Sequence, residues 1–286
     1  MAIGPSCTAK VDEIVHACES SGGNSIIVLW GVPATSKTFL AFTAAERYTG
    51  NELLVKQIQF HPGYTYEDFI EGFKPKKNGT FRPTAGVFLR WNAQALRDKN
   101  NKYVLLIEEL SRANVAAVLG ELLTYVEYRS RSFETPIRRR RVRVAPNLVI
   151  MATMNPLDRS AMELDDAVIR RMSIIDCPPS EEILAEMLEQ SLPDKGRTEE
   201  GKEIINGLVS LFVECRKLHP KNFDEMMPFG HAVFNGVTSK VDLTRLWEQR
   251  IRRLLTRPNV PPHLFYEDIA ALYPWRRGAA ENSATE

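Results

Sequence analysis

Ile26-Ile27-Val28-Leu29-Trp30-Gly31-Val32-Pro33-Ala34-Thr35-Ser36-Lys37-Thr38 is the stretch that decides the fold. An apolar run ends in a loop that opens on Gly31 and closes on Lys37 and Thr38, and the apolar segment Phe39 to Ala45 follows with helical character. This is the strand, loop and helix order of a P-loop, in which backbone N–H groups and a helix N-terminus point at phosphates. Gly31, Val32, Pro33, Ala34, Thr35, Ser36, Lys37 and Thr38 are therefore the candidate phosphate-binding residues. Lys37 is expected to neutralise the outer phosphates, and Thr38 to place its hydroxyl on Mg2+. Ser36 stands where the pattern G-x-x-x-x-G-K-[ST] has its second Gly.

Outward from this stretch, short apolar runs alternate with helical periodicity. Strands are expected at Ser25 to Trp30, Leu53 to Phe60, Tyr103 to Ile107, Leu148 to Met154 and Met172 to Cys177. Tyr103-Val104-Leu105-Leu106-Ile107 is apolar throughout, as a strand buried on both faces of a parallel sheet requires. Helices are expected at Val11 to Cys18, Gly86 to Lys99, Arg112 to Tyr128 and Leu164 to Arg171, the third on a stripe from Val115 to Val126 at a 3.6 period. Asn78-Gly79 predicts a tight hairpin turn, and Phe133 to Val144 a pair of short strands. The alternation predicts an α/β fold with helices on both faces of the sheet. Ligands then sit at the carboxyl ends of the strands, where the P-loop, Glu108-Glu109 and Asn155 all fall.

Cys177-Pro178-Pro179-Ser180 marks a boundary, after which Glu181 to Gln190, Glu199 to Leu218, Val241 to Leu255 and Leu264 to Leu272 read as helices. The expected organisation is an NTPase αβα domain over 1–180, a helical domain over 181–273 and a flexible tail over 274–286. With 286 residues, 44% hydrophobic and 26% charged, the composition is that of a globular protein. A net charge of +1 makes any basic surface local. Cys7, Cys18, Cys177 and Cys215 form no C-x-x-C pair, so neither a zinc site nor a disulfide framework is expected. Without a signal peptide or a long apolar span, a cytoplasmic chain that does not enter the membrane is expected.

A carboxylate at a buried strand end can hold Mg2+ through water, and its neighbour can polarise an attacking water. Glu108 is accordingly assigned to the metal and Glu109 to the water. Asn155 is neutral and bidentate, fit to orient a water or the terminal phosphate. Arg170 and Arg171, at the end of a predicted helix, are candidates for an arginine finger reaching a neighbouring subunit's nucleotide. Arg138, Arg139, Arg140, Arg141 and Arg143 form a basic run; at period 2, Arg139, Arg141 and Arg143 share a face that could contact DNA phosphates or an acidic partner. A solvated edge strand kept from aggregating by its charge is the competing reading. His61 and His231 read as structural or nucleotide-proximal.

The segment Gln59 to Phe73, with His61-Pro62-Gly63-Tyr64-Thr65-Tyr66-Glu67-Asp68-Phe69, resembles the stretch after the second strand in McrB-like AAA+ NTPases, the motor subunits of modified-cytosine-dependent restriction in the MoxR/McrB branch. Ile107-Glu108-Glu109-Leu110-Ser111-Arg112-Ala113-Asn114 is similar to that family's I-D-E-I-N-R-A-N, and Met154-Asn155-Pro156-Leu157-Asp158-Arg159-Ser160 to its M-N-x-x-D-R-S. Arg170-Arg171 resembles its arginine pair, and Phe229-Gly230-His231-Ala232-Val233-Phe234 with Asp242-Leu243 and Trp247 its helical-domain elements. The resemblance implies an AAA+ P-loop NTPase: a parallel five-stranded αβα sandwich followed by a smaller helical lid, with Mg2+ and ATP or GTP bound between subunits of a ring, commonly a hexamer. It implies inter-subunit or water-positioning roles for Asp158 and Arg159, and an interface role for Arg112.

The implied activity is hydrolysis that drives or licenses a partner effector, an McrC-like nuclease in antiviral defence. With about 24 residues before the first strand, target recognition is expected in a partner. Ala34 and Ser36 replace inner glycines, and Glu108 replaces Asp. If position 36 requires left-handed backbone, Ser costs about 1–2 kcal/mol there. MCM helicases resemble this loop in carrying small non-Gly residues. A nucleotide-dependent scaffold with little turnover and a MoxR-like chaperone are the alternatives.

Overall fold

The computed structural model describes residues 4–156, 158, 164, 166–220, 227–256 and 262–276, with side chains placed at all of these except 195 and 262–265. By its contacts the chain divides into two compact units.

The first unit comprises Lys10–Trp30 and Lys37–Asp176. Its centre is a five-stranded parallel sheet of β1 (Ile26–Trp30), β2 (Val55–Gln59), β5 (Tyr103–Glu108), β8 (Leu148–Met154) and β9 (Met172–Asp176), in the order β2-β5-β8-β1-β9. These are the five runs read as strands, and the parallel αβα class is as expected. Alternate residues of β1, β5 and β8 point to opposite faces, and both sets are buried. On one face Ile26, Val28, Leu105, Ile107, Ile150 and Ala152 join a core with Phe88, Leu119 and Leu122. Helix α1 (Pro5–Ser20) buries Val11, Ile14 and Cys18, while α2 (Lys37–Thr49) packs on β1, β2, β5 and β8 and buries Leu40, Ala41, Ala44 and Ala45.

Two hairpins lie outside the sheet. Strands β3 (Glu71–Pro75) and β4 (Phe81–Ala85) follow the one-turn helix α3 (Tyr66–Phe69), whose Thr65 and Asp68 form a capping box. Helix α4 (Val87–Arg97) comes next. Strands β6 (Ser132–Glu134) and β7 (Arg141–Arg143) pair antiparallel.

Several boundaries differ from the sequence expectation. Leu53 is 75% exposed and belongs to a 3-10 turn, Glu52–Leu54, capped by Asn51, so the second strand begins at Val55. The single helix expected from Arg112 to Tyr128 is broken into a 3-10 turn (Leu110–Arg112), α5 (Val115–Leu119) and α6 (Leu122–Tyr125). Gly120 makes the break at φ 50°, and a Cβ there would lie 2.7 Å from the Tyr66 ring, whose hydroxyl donates to Glu121 at 3.0 Å. The turn around Asn78-Gly79 spans Lys76 to Thr80 with only Gly79 left-handed, because Asn78 spends its side chain accepting from the Thr80 amide and hydroxyl. The helix α7 before the arginine pair covers only Asp166–Ile169. Arg139 has φ 48° in the turn before β7, so only Arg141 and Arg143 of the basic run share a strand face.

The second unit comprises Gly31–Ser36 and the chain from Cys177 on, with the N-terminal residues up to Ala9. Its core is helical: α8 (Glu181–Ser191), α9 (Glu199–Leu218), α10 (Lys240–Leu246), a π-helical turn (Trp247–Ile251), α11 (Arg252–Leu255) and α12 (Pro262–Leu272). Ser180, Thr198 and Ser239 cap α8, α9 and α10 by accepting backbone N–H bonds. Leu184, Leu188, Ile204, Leu208, Phe212, Phe229, Phe234 and Trp247 close the interior. Ala34 of the loop packs against this cluster, an association between the P-loop and the distant helical segment that local periodicity does not encode.

Candidate functional site

In the sheet unit, register brings the acidic residues and Asn155 together. Trp30 pairs with Met154, and Ile107 pairs with Ala152, so Glu108 at the end of β5 and Asn155 just past β8 fall at the same edge of the sheet. Glu109 has φ 54° and ψ 48°, a left-handed conformation that costs about 1–2 kcal/mol for a non-Gly residue. Its N–H donates to Thr153 Oγ1 at 3.2 Å, which ties the strained turn to β8. The Glu109 carboxylate lies 3.3 Å from Arg112 Nε.

Glu108 is the last residue of β5, beside Gln59 of β2. One of its oxygens accepts from Thr38 Oγ1 at 3.3 Å and the other from Gln57 Nε2. A hydroxyl and a carboxylate facing one another at the start of a helix form a hard-oxygen pair of the kind Mg2+ uses alongside waters and phosphates. The donor set fits the ion, and the extra methylene of Glu relative to Asp does not prevent the meeting. Among the described residues no group of three or more His, Cys, Asp or Glu side chains could hold a metal alone, so such an ion would depend on phosphate and water.

Asn155 and Asp158 come together as well. Asn155 Nδ2 donates to Asp158 at 3.3 Å, and the buried Ser111 hydroxyl donates to the other Asp158 oxygen at 3.4 Å. Asp158 thereby links the end of β8 to the turn after Glu109. Leu157, Arg159 and Ser160 of the same motif lie outside the described residues. The arginine pair divides. Arg170 is exposed, whereas Arg171 is 7% exposed, donates to Ala167 O at 2.6 Å and pairs with Glu127 at 3.1 Å. Arg171 is thus held inside its own unit by Ala167 and Glu127, leaving Arg170 as the arginine presented to solvent.

In the other unit, Gly31–Ser36 is shaped by contacts that sequence spacing could not reveal. Ala34 and Ser36 both sit in left-handed backbone, at φ 64° and φ 63°. Gly31 is required sterically: a Cβ there would be 2.2 Å from Cys177 O. Thr35, 1% exposed, donates its hydroxyl to Val32 O at 3.0 Å. Gly230 N–H donates to Pro33 O and Ala232 N–H to Ala34 O, both at 2.8 Å. A Cβ on Gly230 would lie 2.4 Å from Ala34 O, so Gly is what lets the two backbones meet.

His231, wholly buried, lies 3.0 Å from Ser36 Oγ through Nε2, while its Nδ1 accepts from Ser180 N–H at 3.3 Å. An accepting Nδ1 fixes the neutral tautomer with the proton on Nε2, which then donates to Ser36. The side chain that makes position 36 strained therefore also supplies a tether. Sequence reasoning read His231 as structural or nucleotide-proximal, but its partners Ser36 and Ser180 carry no local signal, since Ser36 and His231 are 195 positions apart.

The thiols are not part of this chemistry. Cys7, Cys18, Cys177 and Cys215 form no disulfide, and burial pushes Cys18 and Cys215 up to about 12 and also raises Cys7. No helix of the described residues is long and apolar enough to cross a membrane.

Residues 26–172 match the AAA domain family, dynein-related subfamily. The chain is 37% identical over 162 residues to the "Type IV methyl-directed restriction enzyme EcoKMcrB subunit" of Escherichia coli (strain K12), covering 54% of this chain and 35% of that protein. It is 26% identical over 189 residues to the "Type II restriction enzyme BsuMI component YdiS" of Bacillus subtilis (strain 168), covering 51% of this chain and 55% of that protein. The chain thus spans no more than 55% of the length of either relative. A solved structure from Cytophaga hutchinsonii aligns over 73% of this chain and 66% of its own, at 17% identity and a TM-score of 0.42, a likeness too loose to add to these matches. The family match takes in β1, β2, β5 and β8 in full and reaches the first residue of β9, it includes the acidic and Asn155 motifs, and the chain belongs to the AAA family, dynein-related subfamily, as a McrB-like AAA+ protein.

Proposed function

We propose that the chain is a Mg2+-dependent nucleoside triphosphatase, acting on ATP or GTP, that assembles into a ring, commonly of six copies, and drives or licenses a partner effector. The partner chemistry that best suits its relatives is an McrC-like nuclease, in cytoplasmic restriction of invading DNA. Residues 1–180 serve as the NTPase domain and 181–273 as a helical lid, whose core also takes in Trp275 of the 3-10 turn Pro274–Arg276, expected from the sequence to be tail.

One observation carries this reading: the Thr38 hydroxyl meets the Glu108 carboxylate at 3.3 Å, with Lys37 and Glu109 as their respective chain neighbours. Gly31 to Ser36 supply backbone N–H groups to the phosphates, and Lys37 neutralises the outer two. Thr38 and Glu108 would hold Mg2+, which would supply positive charge against the phosphates. Glu109 accepts the proton of the attacking water once its carboxylate leaves Arg112. Asn155, oriented by Asp158, positions that water or the terminal phosphate. Arg170 serves as the finger toward a neighbouring copy's nucleotide, with Arg171 supporting it from inside, and Arg112 lies at the subunit interface. Arg138 to Arg141 and Arg143 contact DNA phosphates. Titration with a fluorescent nucleotide in the presence and absence of Mg2+ tests the site: Lys37→Ala should abolish binding, and Mg2+-independent affinity would refute the assignment of Thr38 and Glu108.

A second reading, a nucleotide-dependent scaffold with slow turnover, is favoured by the Glu109–Arg112 contact at 3.3 Å. Assembly on a non-hydrolysable nucleotide with negligible phosphate release would select it.

A further inference from the structure

The hairpin β3–β4 lies outside the five-stranded sheet and carries an unusual surface. Register pairs Phe73 with Pro83 and Pro75 with Phe81, so two phenylalanines and two prolines share one face. Phe73 is 51% exposed and Phe81 66% exposed, so both rings stand largely in water. Lys74 pairs with Arg82 on the opposite face, and Lys76 and Lys77 occupy the tip. From Gly72 to Ala85 the hairpin has these four cations and no Asp or Glu.

The acid at its base, Glu71, is wholly buried and is spent on the backbone: Oε1 accepts from Ile137 N–H at 2.7 Å and from Arg138 N–H at 3.1 Å. The hairpin is therefore clamped at its root to the start of the second basic segment, Arg138 to Arg141. Joining two cationic segments through a buried carboxylate has no evident value for the core, since the phenylalanines of the hairpin stay in water. Pro75 and Pro83 also remove ladder donors, which disfavours the addition of another protein strand to either edge.

We propose that β3–β4, with the arginine segment clamped to it by Glu71, binds single-stranded nucleic acid. Phe73 and Phe81 offer flat π faces on which successive bases stack, and Lys76 and Lys77 at the tip neutralise the backbone beside them. Duplex DNA keeps its bases stacked on each other and has no use for the phenylalanines. The proposal goes beyond the NTPase reading and does not depend on it, because no residue of the nucleotide site takes part.

The test is fluorescence anisotropy of the full chain with labelled oligo(dT), oligo(rU) and a duplex, each of about 20 nucleotides or base pairs, longer than the span of one stacking platform. Single strands should bind more tightly than the duplex, and the tighter of the two single-stranded arms identifies DNA or RNA as the source. Phe73→Ala and Phe81→Ala, both at exposed positions, should each weaken single-strand binding roughly fivefold or more. Lys76→Gln with Lys77→Gln should reduce the slope of log affinity against log salt by about 1.4, from two lost phosphate contacts. Circular dichroism and thermal melts establish that each variant is folded, and nucleotide affinity measured in parallel reports on the other site separately. Absence of single-strand binding, binding indifferent to both phenylalanines, or a duplex bound equally tightly would overturn the proposal. So would a change in self-association of the phenylalanine variants with single-strand binding unaltered, which would make the face an interface between copies.

Discussion

Replacing Ser36 by Gly and His231 by Ala, singly and together, measures how a P-loop with a side chain at a left-handed position is held. Ser36 at φ 63° costs about 1–2 kcal/mol relative to Gly. Against this stands the 3.0 Å contact of Ser36 Oγ with the buried His231 Nε2, which contributes about 0.5–1.5 kcal/mol. Ser36→Gly removes both terms and gives the unfolded chain more freedom, so its net effect should fall within about 1 kcal/mol of the wild type. His231→Ala loses the Ser36 bond, the Ser180 bond and ring volume, and should cost about 2–4 kcal/mol. In the Ser36→Gly background the bond to His231 is already gone, so the same substitution should cost about 1 kcal/mol less. Urea unfolding of the four proteins gives the stability cycle, and a fluorescent nucleotide titration gives the matching cycle in affinity. Additivity of the two substitutions within about 0.3 kcal/mol in both cycles would refute the tether.

Other substitutions probe neighbouring parts of the account. Gly230→Ala puts a Cβ 2.4 Å from Ala34 O and should weaken nucleotide binding at least tenfold, a loss of about 1.4 kcal/mol; unchanged affinity in a titration would show that the backbone contact does not shape the loop. Arg112→Ala frees the Glu109 carboxylate, and phosphate release per subunit in a ring of unchanged size should rise severalfold unless the 3.3 Å contact is irrelevant to turnover. Acid stability has a defined sign. The Asp242 carboxyl is held below its usual range by the Thr238 hydroxyl and amide, and that of Asp98 by the Asn101 side chain. Such depressed groups contribute stability that is fully present above the ordinary carboxylate pKa of about 4 and is lost as pH falls through the folded values. Urea midpoints should accordingly fall below about pH 4, less steeply in Asp242→Asn, and an unchanged acid slope in that variant would contradict the assignment.

What the sequence made legible follows from the range of the forces involved. The strand runs of β1, β5 and β8 are apolar at nearly every position because both sheet faces are buried, and that pattern is local. The meeting of Thr38 with Glu108, and the place of Asn155 just past β8, could be anticipated from strand ends alone. The break at Gly120 was hidden, because the 3.6-period stripe runs through it and the Tyr66 ring that occupies the space belongs to another element. Arg171 could not be told from Arg170, since the pairing of Arg171 with Glu127 is a contact between distant segments of the chain. The left-handed backbone of Glu109 and the tether of Ser36 to His231 are tertiary facts. The replacement of Gly by Ser announced only that position 36 differed, while the compensating contact lies 195 positions away.

Steady-state phosphate release by the wild type and by Glu109→Gln, each at saturating nucleotide with Mg2+, tests the central claim most directly. The assigned role predicts that Glu109→Gln binds nucleotide as the wild type does while its turnover falls by about 100-fold or more, the scale of a lost general base. Equal phosphate release by the two proteins would contradict it.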